Sequence, residues 1–213
     1  MRFNTHVVGG LSAGIFTNSY LIEYATNIGN HTSTILISSV LIAGSVIGSI
    51  TPDIDHKGSY ISRHFKIPSF LFRIVSFVFS FIYQINRKVF KFGDNHDKNM
   101  ITHRGITHTP ILVLGILSIL LFLSMHVLSG ENSILLSCLS IGFGVGMLSH
   151  IFLDSLTKGG APLLYPITTK SFSFLPIKTG GIVETFIRLA ILVGTFGFIL
   201  AHYELFSVVK LYF

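Results

Sequence analysis

The chain has 213 residues, of which 50% are apolar and 11% charged, and its mean hydropathy of +0.69 lies well above that of an ordinary soluble domain. Its net charge of +6 and pI near 9.6 come from basic residues scattered beside apolar runs, so anionic lipid and the positive-inside rule account for them and no nucleic-acid partner is expected. The single cysteine, Cys138, lies inside an apolar run, which excludes a disulfide framework and any CxxC metal or redox motif and leaves His, Asp and Glu as the available metal ligands.

In chain order, five segments have about the 20 residues that a helix needs to cross a bilayer: roughly 6 to 23, 33 to 50, 111 to 128, 134 to 153 and 184 to 203. The N-terminus, "MRFNTHVVGGLSAGIF", carries one Arg and an apolar stretch, as a signal peptide does. Glycines interrupt it and no small-x-small cleavage site follows, so it is expected to be retained. A further stretch, "IPSFLFRIVSFVFSFIY" at 67 to 83, has Arg73 near its centre. A charge there costs roughly 2.5–3.5 kcal/mol at mid-bilayer. With Arg87, Lys88 and Lys91 following, it is expected to form an amphipathic helix lying in the interface over roughly 67–91.

Small residues at helix-packing spacing, Gly10 with Gly14, Gly44 with Gly48, and Gly142, Gly144 and Gly146, predict close helix approach in lipid. The expected fold is all-α: a polytopic membrane helical bundle of about five transmembrane helices plus the interfacial helix, in one domain spanning 1–213. With the 67–91 segment flat, every Lys and Arg except Lys210 falls on one side, which predicts a cytoplasmic N-terminus.

That topology was fixed by Lys and Arg alone, yet it also gathers His and Asp. His6 opens the first span, "TPDIDH" puts Asp53, Asp55 and His56 at the end of the second, and His103 and His108 of "ITHRGITHTP" precede the third. His150 and Asp154 close the fourth, and Glu184 opens the fifth. All lie at the cytoplasmic end. Individually, several read equally well otherwise. His6 suits an interfacial position, Asp53 and Asp55 suit a helix end before a turn, and His103 and His108, five apart, need a turn to converge. His150 and Asp154 are four apart on an apolar helix, share a face and favour a ligand pair.

Together these residues suit a divalent cation, zinc above all, and are numerous enough for two or three ions. Such a site is adapted to phosphoester hydrolysis, with Asp53 or Asp55 as bridging ligand or base. Arg104 reads either as a phosphate clamp or as a positive-inside anchor. The glycine-rich "SLTKGGAPLLYPI" after Asp154 is either a close approach to ligand or a helix stop.

The blocks "HVVGG", "TPDIDH", "HRGITHT" and "LSHIFLDSLTKGGAPLLYP" resemble, in order, the signatures of the YdjM-like family of inner-membrane proteins, classed as predicted metal-dependent hydrolases. The resemblance implies a metal role for His6, Asp53, Asp55, His56, His103, His108, His150 and Asp154. A more distant similarity to zinc-dependent phospholipase C and P1-type nucleases, carried by an early His, a later Asp and an HxxxD pair, suggests a phosphoester substrate. The expected function is therefore a multi-pass inner-membrane hydrolase acting on a lipid or lipid-linked phosphoester. The alternatives are a divalent-metal transport protein, or a non-catalytic scaffold pinned by a structural ion.

Overall fold

The computed structural model describes residues 1–28, 33–55, 59–64, 66, 105–165, 167–168 and 170–202. They form α1 (Phe3–Ile28), α2 (Thr34–Ile50), a 3-10 turn (Thr51–Asp55), the short α3 (Tyr60–His64), a second 3-10 turn (Ile106–His108), α4 (Pro110–His126), α5 (Gly130–Ser155) and α6 (Ile182–His202). Among the described residues, β structure is limited to two isolated bridges, in the connection between α5 and α6. The expected interfacial helix at 67–91 lies outside the described residues.

A helix stands at each of the five positions expected to span. Three are long and apolar enough to cross a membrane: Thr34–Ile54, which counts the 3-10 turn, Gly130–Ser155 and Ile182–His202. α4 is shorter, at 17 residues, and α1 is long but more polar. The result is a helical bundle with membrane-protein character.

α2 sits at the centre, against α5 on one side and α1 on the other. Glycine makes this possible. A Cβ at Gly142 or Gly146 would overlap the Leu41 or Ser45 carbonyl of α2, and one at Gly44 or Gly48 would overlap the Leu139 or Phe143 carbonyl of α5. Gly10 meets Ser45 and Ser49 in the same way, and the Ser45 hydroxyl donates to the Gly10 carbonyl at 2.7 Å. In lipid, where no hydrophobic force drives helices together, such backbone proximity and interhelical hydrogen bonds carry association.

Other polar contacts fasten the outer helices. The Thr195 hydroxyl of α6 donates to Ser12 of α1 at 2.7 Å, and Ser124 of α4 donates to the Ser133 carbonyl of α5 at 2.6 Å. At the other end of the α4–α5 pair, Val113, Met147 and Ile151 pack around Ala161, so the loop after α5 is drawn into the bundle.

Candidate metal centre

Each segment that delivers a site residue ends or begins where it does for a local reason. At the end of α2, Pro52 has no N–H to continue the ladder, and the last carbonyls must find other donors. The Thr51 hydroxyl donates to Ile47 O at 2.7 Å, the Thr51 amide takes Gly48 O, and Ser49 O is left facing inward. The chain tightens into a 3-10 turn that carries Asp53.

Before α4, Pro110 holds Thr109 in extended backbone (φ −107°, ψ 136°) and occupies the first helical turn. The Thr109 hydroxyl accepts from the Leu112 amide at 3.4 Å and donates to Ile106 O at 2.7 Å. The 3-10 turn Ile106–His108 that results points a fully buried His108 into the bundle. α5 stops after Ser155, where the Thr157 amide and hydroxyl both donate to the Asp154 carbonyl, at 3.0 and 2.8 Å. Gly160, at φ 64°, packs against the Phe172 carbonyl. The glycine-rich stretch is thus a helix stop and turn.

Five of the predicted residues converge. His108 Nε2 and His150 Nε2 face each other at 3.2 Å. Each lies 3.7 Å from Asp53 Oδ1, and they lie 3.7 and 3.8 Å from Asp154 Oδ2. An ion with ligands at about 2.0–2.2 Å in a tetrahedron places any two of them about 3.3–3.6 Å apart. The separations within the His108, His150 and Asp154 group, 3.2 to 3.8 Å, bracket that edge length. His150 Nδ1 donates to Ser49 O at 2.6 Å, which fixes the tautomer and turns a lone pair on Nε2 toward the cluster. On the other imidazole, the Thr107 hydroxyl lies 3.0 Å from His108 Nδ1. Two carboxylates and imidazole lone pairs converging in a buried place need positive charge among them.

His6 adds a second arm. Its ring stacks on that of His150, with centroids 3.6 Å apart, and its Nε2 lies 3.3 Å from Asp154 Oδ1, although neither ring nitrogen forms a hydrogen bond among the described residues. Two overlapping groups can therefore hold a metal ion: His6, Asp53 and His150, and His108, His150 and Asp154. Asp154 turns Oδ2 to the imidazole pair and Oδ1 to His6 and to the Met1 ammonium. Asp154 thus has a different partner on each oxygen, the arrangement a bridging carboxylate would use.

The remaining predicted residues divide. Asp55 closes the first 3-10 turn, but its side chain lies outside the described part, as do His56, His103 and Arg104. Glu184 stands away from the donor cage and accepts from Arg2, Thr5 and Gly180 instead. Sequence reasoning missed Ser49 and Thr107. A free carbonyl just before a proline-terminated helix end was the signal for the first; nothing in the sequence singled out the second.

This all-helical bundle, with buried His and Asp at the ends of its apolar helices, agrees with the match of the YdjM inner membrane protein family, which covers residues 1–212. The chain belongs to the YdjM family. Among curated relatives, it is 29% identical over 185 residues to the "Uncharacterized protein YvsG" of Bacillus subtilis (strain 168), covering 86% of this chain and 85% of that one. It is 25% identical over 155 residues to the "Inner membrane protein YdjM" of Escherichia coli (strain K12), covering 72% of this chain and 63% of that one. No solved structure matches the chain. As a YdjM-family member, it is a membrane protein with buried His and Asp groups able to hold a metal ion.

Proposed function

We propose that this chain is a membrane-embedded, divalent-metal-dependent hydrolase that cleaves a phosphoester in a lipid or lipid-linked substrate. The observation that carries the reading is the convergence of His108, His150 and Asp154 at separations suited to a metal ion, with the partly exposed Asp53 beside the imidazole pair. Asp53 is 20% exposed, while His108, His150 and Asp154 are at 0–1%. Zinc suits this set of nitrogen and oxygen donors.

A divalent ion held here supplies an acidified water and polarises a phosphoryl oxygen. The chain's own residues do the rest. Asp53, at the open side, is placed to accept a proton from an incoming water. Asp154 and the two imidazoles, all buried, hold the charge beside it. Arg104, four residues before His108, supplies a planar fork for the phosphate. The distribution of Lys and Arg supports a cytoplasmic position for this end of the bundle.

Placement at one end of the helices favours hydrolysis over transport, whose sites tend to lie near the midplane on broken helices. The partial exposure of Asp53 favours a catalytic over a purely structural ion, which is closed on all sides. The test is hydrolysis of a panel of phospholipids, isoprenoid phosphates and model phosphodiesters by purified protein. Release of product that stops with a chelator and returns with Zn²⁺ supports the reading. Activity indifferent to the chelator, or none on any member with metal bound, rejects it.

A further inference from the structure

Glu184, in the first turn of α6, is 2% exposed, and a buried carboxylate is costly unless donors surround it. Its donors come from two other segments. Oε1 accepts from the Arg2 amide at 2.5 Å and the Thr5 hydroxyl at 2.7 Å, and Oε2 accepts from the Gly180 amide at 2.5 Å. Arg2 immediately precedes α1, so its amide belongs to the N-terminal end of that helix, where N–H groups lack partners and an anion is favoured. A carboxylate from α6 therefore fastens the start of α1.

The residue after Thr5 is His6. It is 1% exposed, its ring nitrogens form no hydrogen bond among the described residues, its ring stacks on His150, and its Nε2 approaches Asp154 Oδ1. A histidine that ligates a metal is ordinarily oriented by a hydrogen bond from its other nitrogen. His6 has none, so its aim depends on where its helix turn is held. A Cβ at Gly9 would overlap Leu153 Cδ1, so α1 lies tight against α5 one turn farther on. A small slip of the first turn would move the imidazole away from Asp154.

We infer that Glu184 is a positioning residue for His6: by bonding Arg2, Thr5 and Gly180 together, it holds the His6 imidazole in register with Asp154 for a divalent ion. The inference rests on the metal reading proposed above. Asp154 and His150 sit on α5, outside the clamp, so its effect on metal binding is expected to pass through His6; the Met1 ammonium on Asp154 is the other contact of the clamped segment with the site.

A double-mutant cycle tests it, with His6→Ala, Glu184→Gln and the double variant purified in detergent and titrated with Zn²⁺ against a chromophoric chelator. Gln retains one acceptor oxygen but presents an NH₂ group to a backbone donor. Glu184→Gln is expected to weaken Zn²⁺ affinity by about 10- to 100-fold, the usual effect of losing an orienting partner. His6→Ala is expected to weaken it at least as much, and the double variant is expected to match His6→Ala, because two residues acting through one contact are not additive.

A residue that merely stabilises the fold would lower the melting temperature without this non-additivity. Wild-type affinity in Glu184→Gln, or a loss that adds in full to that of His6→Ala, overturns the inference and leaves the metal reading intact. Unchanged affinity in His6→Ala overturns the ligand role of His6 itself. If Glu184→Gln does not fold, Thr5→Val removes one of the three donors. Its affinity loss must then appear with His6 present and vanish in the His6→Ala background, and any other pattern overturns the inference.

Discussion

His108 Nε2 and His150 Nε2 stand 3.2 Å apart, one delivered by a 3-10 turn before α4 and the other by the last turns of α5. With His150 Nδ1 committed to Ser49 O, that pair holds at most one proton between its facing nitrogens, while Asp53 and Asp154 approach from either side. An ion shared by four segments links them in the folded state only, so it stabilises the fold by mass action. At 100 times its Kd this amounts to about 2.7 kcal/mol. A chelator should lower the melting temperature of the wild-type protein by several degrees and leave that of His108→Ala unchanged. Equal chelator shifts in both would detach His108 from the ion.

Asp53 differs from its companions in being partly exposed, and that difference separates binding from turnover. Asp53→Asn keeps an oxygen donor but loses the charge and the proton acceptor. Hydrolysis is expected to fall by about 10²- to 10⁴-fold, the range for removing a general base, with bound metal largely kept. Parallel loss of metal and activity would make Asp53 a ligand only.

Arg104→Lys preserves the positive charge and removes the planar fork. A charge-assisted hydrogen bond contributes about 1.5–3 kcal/mol, so a phosphate clamp predicts a roughly 10- to 100-fold fall in kcat/KM with topology unchanged. Wild-type kinetics in this variant would leave Arg104 as a topological anchor.

The glycines of the α2–α5 contact should be the most sensitive positions in the bundle. Gly146→Ala forces a Cβ onto the Ser45 carbonyl, and overpacking of this kind costs about 1–3 kcal/mol or more. Gly115→Ala, with nothing within 4 Å of the added carbon, should be neutral or slightly stabilising. Thr195→Val, which removes one interhelical hydrogen bond, should cost about 0.6 kcal/mol. Detergent unfolding of the three variants orders these effects, and a tolerated Gly146→Ala would contradict the packing described.

The five helices were readable because long apolar runs and paired glycines carry their own signal, and Lys and Arg alone were enough to bring His6, Asp53, His108, His150 and Asp154 to one end. The spacing of His150 and Asp154 also showed the shared face, now seen as an Nε2 to Oδ2 separation of 3.8 Å. Other features had no residue-type signature. A backbone carbonyl, Ser49 O, orients His150, and no side chain announces it. Asp53 and Asp55 look alike in "TPDIDH", and it is the 3-10 turn that aims Asp53 at the imidazoles. Glu184 read as a possible site acid because an acid near a helix start suits either role. Only the fold shows that Arg2, Thr5 and Gly180 take its oxygens.

The most direct test is the metal content of the purified protein, measured by elemental analysis after exposure to Zn²⁺ and removal of the excess. The account predicts at least one tightly held ion per wild-type chain and its loss from a folded His108→Ala/His150→Ala double variant. Equal metal content in the two proteins would contradict it.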